Sequence, residues 1–298
     1  MSLPVTALQQ VSRALVPGLT GMVGHHADLT LHSAFQPILD LRDGRNIGFE
    51  GLVRVLRAEG GSVTPLALFD LARDEAELVH VDRLCRALHV CNFVRLDAGD
   101  GLLFLNVNPV VSIRGRFFGP FFEEFLSQVG LPPERVVIEI LEGSVLDDQQ
   151  LADSIAFYRE RGCLVAIDDF GVGHSNFGRI WQIKPDIVKL DRSMLTFARA
   201  NECARRALPS LVTILREAGC LVIVEGVEDE FEAMLALESR ADFAQGYYFG
   251  FPAVVPNAQT ATAKWRALLE RSEGTMAEVV ARACRDVGEL GTRLRQSA

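Results

Sequence analysis

The residues best suited to chemistry stand at the ends of short apolar runs. Glu50 follows NIGF, Asn106 follows LLFL, Glu139 follows RVVI, and Asp168 with Asp169 follows CLVAI. Lys189 follows PDIV, Glu225 follows CLVIV, and Gln245 follows ADFA. Each of these side chains can ligate a metal or move a proton. One carboxylate in such a place commonly caps the next helix. Five carboxylates with Asn, Lys and Gln, at ends that converge, are not explained by capping. Two like charges 4 Å apart repel by about 4 kcal/mol at an effective dielectric of about 20. Clustered acids must therefore protonate or hold cations. Hard oxygen donors without Cys or His select Mg²⁺ or Mn²⁺, with Ca²⁺ also admissible. Adjacent Asp168 and Asp169 can each reach a different ion. That suits two ions roughly 3.5–4 Å apart, the arrangement used for in-line phosphoryl displacement.

Convergence needs a scaffold that gathers strand ends. Eight β-type runs occupy 33–41, 46–55, 102–108, 135–141, 163–169, 185–191, 220–225 and 241–248. Helical patterns fill 65–97, 117–129, 148–161, 192–218 and 229–239, and glycines with a short helical pattern fill 171–184. The central runs are apolar on both faces, as parallel strands under helices should be. Eight strands alternating with helices over about 220 residues is the arithmetic of a (β/α)₈ barrel, whose chemistry sits at the C-terminal strand ends. The first two runs are joined only by RDGR, 42–45. That is hairpin length, because parallel strands need a dozen or more connecting residues. The expected fold is α/β: a modified (β/α)₈ TIM-like barrel with one antiparallel strand and flanking terminal helices. Residues 1–30 read as a helix, with Val5, Leu8, Val11 and Leu15 as its stripe, followed by a Gly/His-rich linker over 18–28. Residues 31–256 read as the barrel, and 257–298 as a helical appendage broken near 272–274.

Composition bounds the rest. Of 298 residues, 49% are hydrophobic and 23% charged, and the net charge is −9. Those are globular values that exclude disorder as the main state. Apolar runs such as 163–167 fall far short of the roughly 20 residues of a membrane span. The acidic balance excludes bulk nucleic acid as the partner. Cysteines at 85, 91, 163, 203, 220 and 284 form no C-x-x-C pair and read as reduced, mostly buried thiols. With no basic region ahead of an apolar stretch at the start, the expected location is cytoplasmic.

Seven motifs then follow in order: FEGLVR (49–54), LNVNP (105–109), EILE (139–142), IDDFGVG (167–173), KPDIVKLD (184–191), VEGVE (224–228) and QGYYFGFP (245–252). Together they resemble the EAL-type cyclic-di-GMP phosphodiesterase domain over about 33–252. The resemblance implies that Glu50, Asn106, Glu139, Asp168 and Glu225 ligate one ion, and that Asp168 bridges to a second held by Asp169. Lys189 and Gln245 would hold the attacking water, with Lys189 offsetting charge in the transition state. Gln36, Leu52, Arg54, Asp191 and Pro252 would contact the dinucleotide. Glu142 would support the ligands, as would the loop Phe170–Ser175, which carries Gly171 and Gly173 and can move. That loop would also lie at a homodimer interface. Glu228 reads as an anchor for a neighbouring loop or as a carboxylate at a helix N-terminus. The terminal helices could take a regulatory partner protein.

The implied reaction is hydrolysis of one 3′–5′ diester of cyclic-di-GMP to linear pGpG, lowering the second messenger. The alternative is an impaired receptor or scaffold that acts through protein contacts. A Mg²⁺-dependent barrel enzyme acting on a carboxylate substrate also uses strand-end acids, but it explains neither Arg54 nor QGYYFGFP. The chain departs from the family pattern at Phe35, His174, Asn176 and Gly51, the last standing where alanine is usual. Glycine there would free the backbone to approach a ligand.

Overall fold

The five-residue connection at 41–45 sets the topology. It folds a long strand, Leu29–Asp40, back along Asn46–Arg57, and the two pair antiparallel from Leu29↔Arg57 to Leu39↔Asn46. The structure, a computed structural model, describes residues 6–96, 98–108, 110–111, 121–141, 148–172 and 177–271. In chain order its strands are β1 (Leu15–Pro17), β2 (Met22–His26), β3 (Leu29–Asp40), β4 (Asn46–Arg57), β5 (Ser62–Val63), β6 (Leu102–Asn106), β7 (Val136–Leu141), β8 (Leu164–Phe170), β9 (Ile187–Leu190), β10 (Leu221–Val224) and β11 (Phe243–Gln245). Its helices are α1 (Ala7–Ala14), α2 (Pro65–Asp70), α3 (Glu75–Arg95), α4 (Phe121–Val129), α5 (Asp148–Arg159), α6 (Phe177–Ile183), α7 (Arg192–Ala200), α8 (Glu202–Glu217), α9 (Glu230–Glu238) and α10 (Ala258–Arg271).

The strands β3, β11, β10, β9, β8, β7, β6 and β4 follow one another, and the β3–β4 pairing closes the ring. β3 is antiparallel to both neighbours, and the other pairs in the ring are parallel. The result is a closed eight-stranded mixed barrel with outer helices, as the strand runs and the hairpin imply. No described helix is long and apolar enough to cross a membrane.

Strand side chains alternate between faces, so residues two apart share the barrel interior. Ile38, Phe104, Val137, Ala166, Ile187, Ile223 and Phe243 form an apolar cluster separate from the core under the helices. Each lies two residues from a polar side chain at the same end: Gln36, Asn106, Glu139, Asp168, Lys189, Glu225 and Gln245. On β4 the matching pair is Gly48 and Glu50. A Cβ at Gly48 would stand 2.2 Å from the Leu102 carbonyl oxygen, so glycine lets β6 approach. The polar layer thus rests on a buried apolar plug, and every barrel strand contributes to it.

Three expectations need correction. The stretch 18–28 is not a linker: β1 and β2 pair with each other, and β2 pairs with β3, so the barrel sheet extends into the N-terminal segment. The helical run 65–97 divides because Asp74 caps α3 by accepting from Glu77 N. The run 192–218 divides at Asn201, whose side chain accepts from Cys203 N and Ala204 N and starts α8. Residues 272–298 lie outside the described residues, and with them the second helical stretch of the appendage. Cys85, Cys163 and Cys220 are buried free thiols, Cys91 is half-buried and Cys203 is exposed.

Helix α10 packs against β3 and β4 on the outside of the barrel, with Ala261, Trp265 and Leu268 in the core under the helices. Trp265 is 6% exposed, and its Nε1 donates to Leu41 O at 3.2 Å. Thr262 Oγ1 donates to Gly44 O at 2.7 Å. Gly44 has φ 72°, and a Cβ there would meet Trp265 Cε3 at 2.4 Å. The hairpin turn that makes the fold is therefore clamped under this tryptophan. Trp265→Ala should cost about 3–5 kcal/mol of stability in urea denaturation. A loss below about 1 kcal/mol would show that the clamp does not hold the turn.

Candidate active site

Lys189 rises from β9 into the polar layer with 1% of its surface exposed. Its Nζ lies 2.5 Å from Glu139 Oε1, 2.6 Å from Glu225 Oε1, 3.2 Å from Asp168 Oδ1 and 3.8 Å from Glu50 Oε2. One ammonium faces four carboxyl groups. Burial pushes the Lys189 ammonium down, but the acids, Asp168 and Glu139 foremost, outweigh it and hold its pKa well above the ordinary value. Burial, with Glu50 and Asp168, pushes the Glu139 carboxyl well up against the pull of Lys189. Burial, opposed by Lys189 and reinforced by Asp168 and Glu50, pushes Glu225 up to about 8. Asp169 is raised by burial and then by Asp168 and Asp191. Glu50 is the exception. Burial raises it, but Lys189 and the amides of Gln245 and Asn106 bring it below the ordinary range.

Those amides clamp Glu50 from both sides. Asn106 Nδ2 donates to Oε1 at 2.7 Å, and Gln245 Nε2 donates to Oε2 at 2.7 Å. Gln245 Nε2 also reaches Gln36 Oε1 at 3.3 Å, and Gln36 Nε2 donates to Gly250 O at 3.1 Å. Gln36 stands directly opposite Glu50 in the β3–β4 ladder. Each amide presents its nitrogen, not its oxygen, to Glu50. Gln245 Oε1 is buried with no hydrogen bond, and Glu139 Oε1, also buried, lies 2.5 Å from Lys189 Nζ.

A strand alone cannot aim adjacent residues at one point. The β8–β9 register shifts between Ile167 and Phe170, and Asp169 adopts φ 58°. This bulge re-aims the chain, at the strain of a left-handed non-glycine residue. Asp168, Asp169 and Glu225 consequently offer oxygens within 4.8 Å of one another. Hard oxygens in excess of positive charge, with buried acceptors lacking donors, fit a divalent cation.

A cavity of about 290 Å³ opens over this layer. Gln36, Leu52, Asp191 and Glu228 join Glu50, Asp168, Lys189, Glu225 and Gln245 in its wall. Asp191 also caps α7, its Oδ1 accepting from Ser193 N at 2.9 Å. Arg54 does not line the cavity. It is exposed, and its Nη1 donates to the Val53 carbonyl at 3.2 Å. Pro252 is half-buried outside the wall, beside the Phe35–Ala253 bridge. Phe170 is buried below the site, its carbonyl accepting from Asp191 N at 3.1 Å. Gly171 has φ 107°, and a Cβ there would meet Met194 Sδ at 2.8 Å. Glu142, Gly173, His174 and Asn176 lie outside the described residues.

The guanidinium at the wall belongs to Arg192, which pairs with Glu228 at 2.6 Å and packs over Gly226. Gly226 has φ 67° and would bring a Cβ within 2.4 Å of Arg192 Cγ. Sequence reasoning passed over Arg192 because it reads as the start of a helix. Tyr247, also in the wall, lay inside a quoted motif without a role.

The raised acids fix a pH dependence. For Glu225 the folded protein holds a proton more tightly than the unfolded chain does. The Glu225 contribution to metal-free stability is therefore full below about 4.5 and lost as pH rises through about 8. A cation must displace such protons. Mn²⁺ titration calorimetry at pH 7, in buffers of different ionisation heat, should show net proton release. Binding without proton release would contradict the raised carboxyls.

Known proteins share this arrangement of strands. A probable cyclic di-GMP phosphodiesterase of Escherichia coli K12, PdeN, is 26% identical over 227 residues, covering 74% of this chain and 43% of its own. The cyclic di-GMP phosphodiesterase TpdA of Vibrio parahaemolyticus is 28% identical over 219 residues, 73% of this chain and 36% of its own. This chain thus spans less than half the length of these relatives. The solved calcium and cyclic-di-GMP complex of Klebsiella pneumoniae BlrP1 superposes with a TM-score of 0.67 at 25% identity, covering 75% of this chain and 56% of that one. The EAL domain profile matches residues 25–252, so this chain belongs to the EAL domain family.

Proposed function

We propose that the chain is a cyclic-di-GMP phosphodiesterase that opens one 3′–5′ diester to give linear pGpG, dependent on Mg²⁺ or Mn²⁺ and using two ions. The observation that carries this reading is the buried carboxyl cluster with a single ammonium among its acids. Relatives named as phosphodiesterases of this dinucleotide, and a structural neighbour solved with calcium and the dinucleotide, support the substrate.

Glu50, Asn106, Glu139, Asp168 and Glu225 would hold one ion, and Asp168 with Asp169 the other. When bound, the ions supply Lewis acidity toward the phosphoryl group and make water acidic enough to attack at neutral pH. The residues do the rest. Asn106 and Gln245 fix Glu50 so that its ligand oxygens are pre-set. Lys189 offers positive charge where the phosphoryl oxygens become more negative. The Gln245 amide orients the attacking water. Arg192 and Tyr247 stand in the cavity wall where the dinucleotide enters. Water oxygen bonds to phosphorus as the bond to the 3′ oxygen breaks, and the leaving oxygen takes a proton.

The same reading takes the chain as a cytoplasmic homodimer joined beside the loop 170–175, with the terminal helices open to a regulatory partner. Val172 in that loop is exposed, as are Trp181 on α6 and Phe197 on α7. Light scattering at micromolar concentration should give twice the chain mass. A fully active monomer would count against the dimer.

Incubation with cyclic-di-GMP and Mn²⁺, followed by chromatography, should yield pGpG. Excess chelator should abolish turnover. Glu50→Gln and Lys189→Ala should each lower kcat by about 100-fold or more. Tight binding of the dinucleotide without product would favour the receptor reading instead.

A further inference from the structure

Gly51 follows Glu50 on β4. Strand alternation turns Glu50 into the barrel and position 51 outward, against α3. A Cβ on Gly51 would stand 2.9 Å from His89 Cγ, 3.0 Å from His89 Cβ and 3.3 Å from His89 Cδ2. Gly51 therefore makes room for a helix side chain, not for a ligand, which corrects the expectation from sequence.

The ring cannot swing away. His89 is 4% exposed, and its Nδ1 lies 2.9 Å from Ser33 Oγ. That hydroxyl also accepts from Asn92 Nδ2 at 3.1 Å. Asn92 in turn holds both backbone groups of Met22, at 2.6 and 2.9 Å. Phe35, directly across the ladder from Gly51, meets the imidazole edge-on with centroids 6.3 Å apart. The strand has as little freedom, since both oxygens of Glu50 are held by amides.

We infer that Gly51 and His89 are a matched pair of positioning residues: the imidazole lying against bare backbone sets the depth of β4, and so the place of Glu50 in the cation site. Neither residue touches the cation or the substrate. A methyl group at position 51 must push either the strand inward or the ring off Ser33. The inference rests on reading Glu50 as a cation ligand.

The test is Mn²⁺ binding to the full chain, followed by electron paramagnetic resonance, for wild type, Gly51→Ala, His89→Ala and the double variant. Affinity per folded molecule does not change when a substitution merely lowers stability. Gly51→Ala should weaken Mn²⁺ about tenfold in the wild-type background and less than about twofold in the His89→Ala background. The same loss in both backgrounds, or no loss in the first, would overturn the pairing. If Gly51→Ala alone fails to fold, recovery of folding in the double variant supports the pair, and continued failure contradicts it. If wild type binds no Mn²⁺, the functional reading fails, and thermal melts of the four proteins still judge the pair. The melting drop from Gly51→Ala must shrink when His89 is alanine.

Discussion

An ammonium buried among carboxyl groups is the interaction on which the rest of this structure depends. Removing a single charge from water costs several kcal/mol even after relaxation. Lys189 recovers that cost from Glu139, Glu225, Asp168 and Glu50, all within 4 Å of its Nζ. The acids are not balanced in return. Burial and the neighbouring acids push Glu139 and Glu225 up, while Lys189 and two amides bring Glu50 below the ordinary range. A site so short of positive charge is stored affinity for a cation, and protons are its occupants of last resort.

The barrel makes such a site possible at low cost. Period-two alternation delivers one inward polar group per strand over an apolar layer, so no strand need bend to reach the site. Two local departures refine the aim. The β8 bulge brings Asp168 and Asp169 to the same side, and the bare backbone of Gly51 lets α3 press close behind Glu50. Reversal of β3 has its own consequence. It sets Gln36 across from Glu50, so an antiparallel pair supplies both a carboxylate and part of the amide network that steadies it.

Much of this was legible in the sequence because it is periodic. Strand ends follow apolar runs, and the RDGR connection is too short for a crossover. The site acids could therefore be named from their places in the runs. What escaped depends on distances that no pattern carries. The N-terminal strands look like a linker because Gly18, Gly21 and Gly24 interrupt them, yet ladder bonds to β3 outweigh that weakness. Arg54 and Arg192 are equally basic in sequence. Which of them borders the cavity is decided by the capped turn at Asp191 and the close passage over Gly226. The reason for Gly51 lies on another element, 38 residues along the chain at His89.

The central claim is that the carboxyl cluster around Lys189 is a divalent-cation site. Anomalous diffraction at the manganese edge, from crystals grown with Mn²⁺, tests it most directly. Peaks within bonding distance of Glu50, Asn106, Glu139, Asp168, Asp169 and Glu225 oxygens are the expected result. A cluster free of anomalous density at millimolar Mn²⁺ and neutral pH, with Lys189 still among the acids, would contradict it.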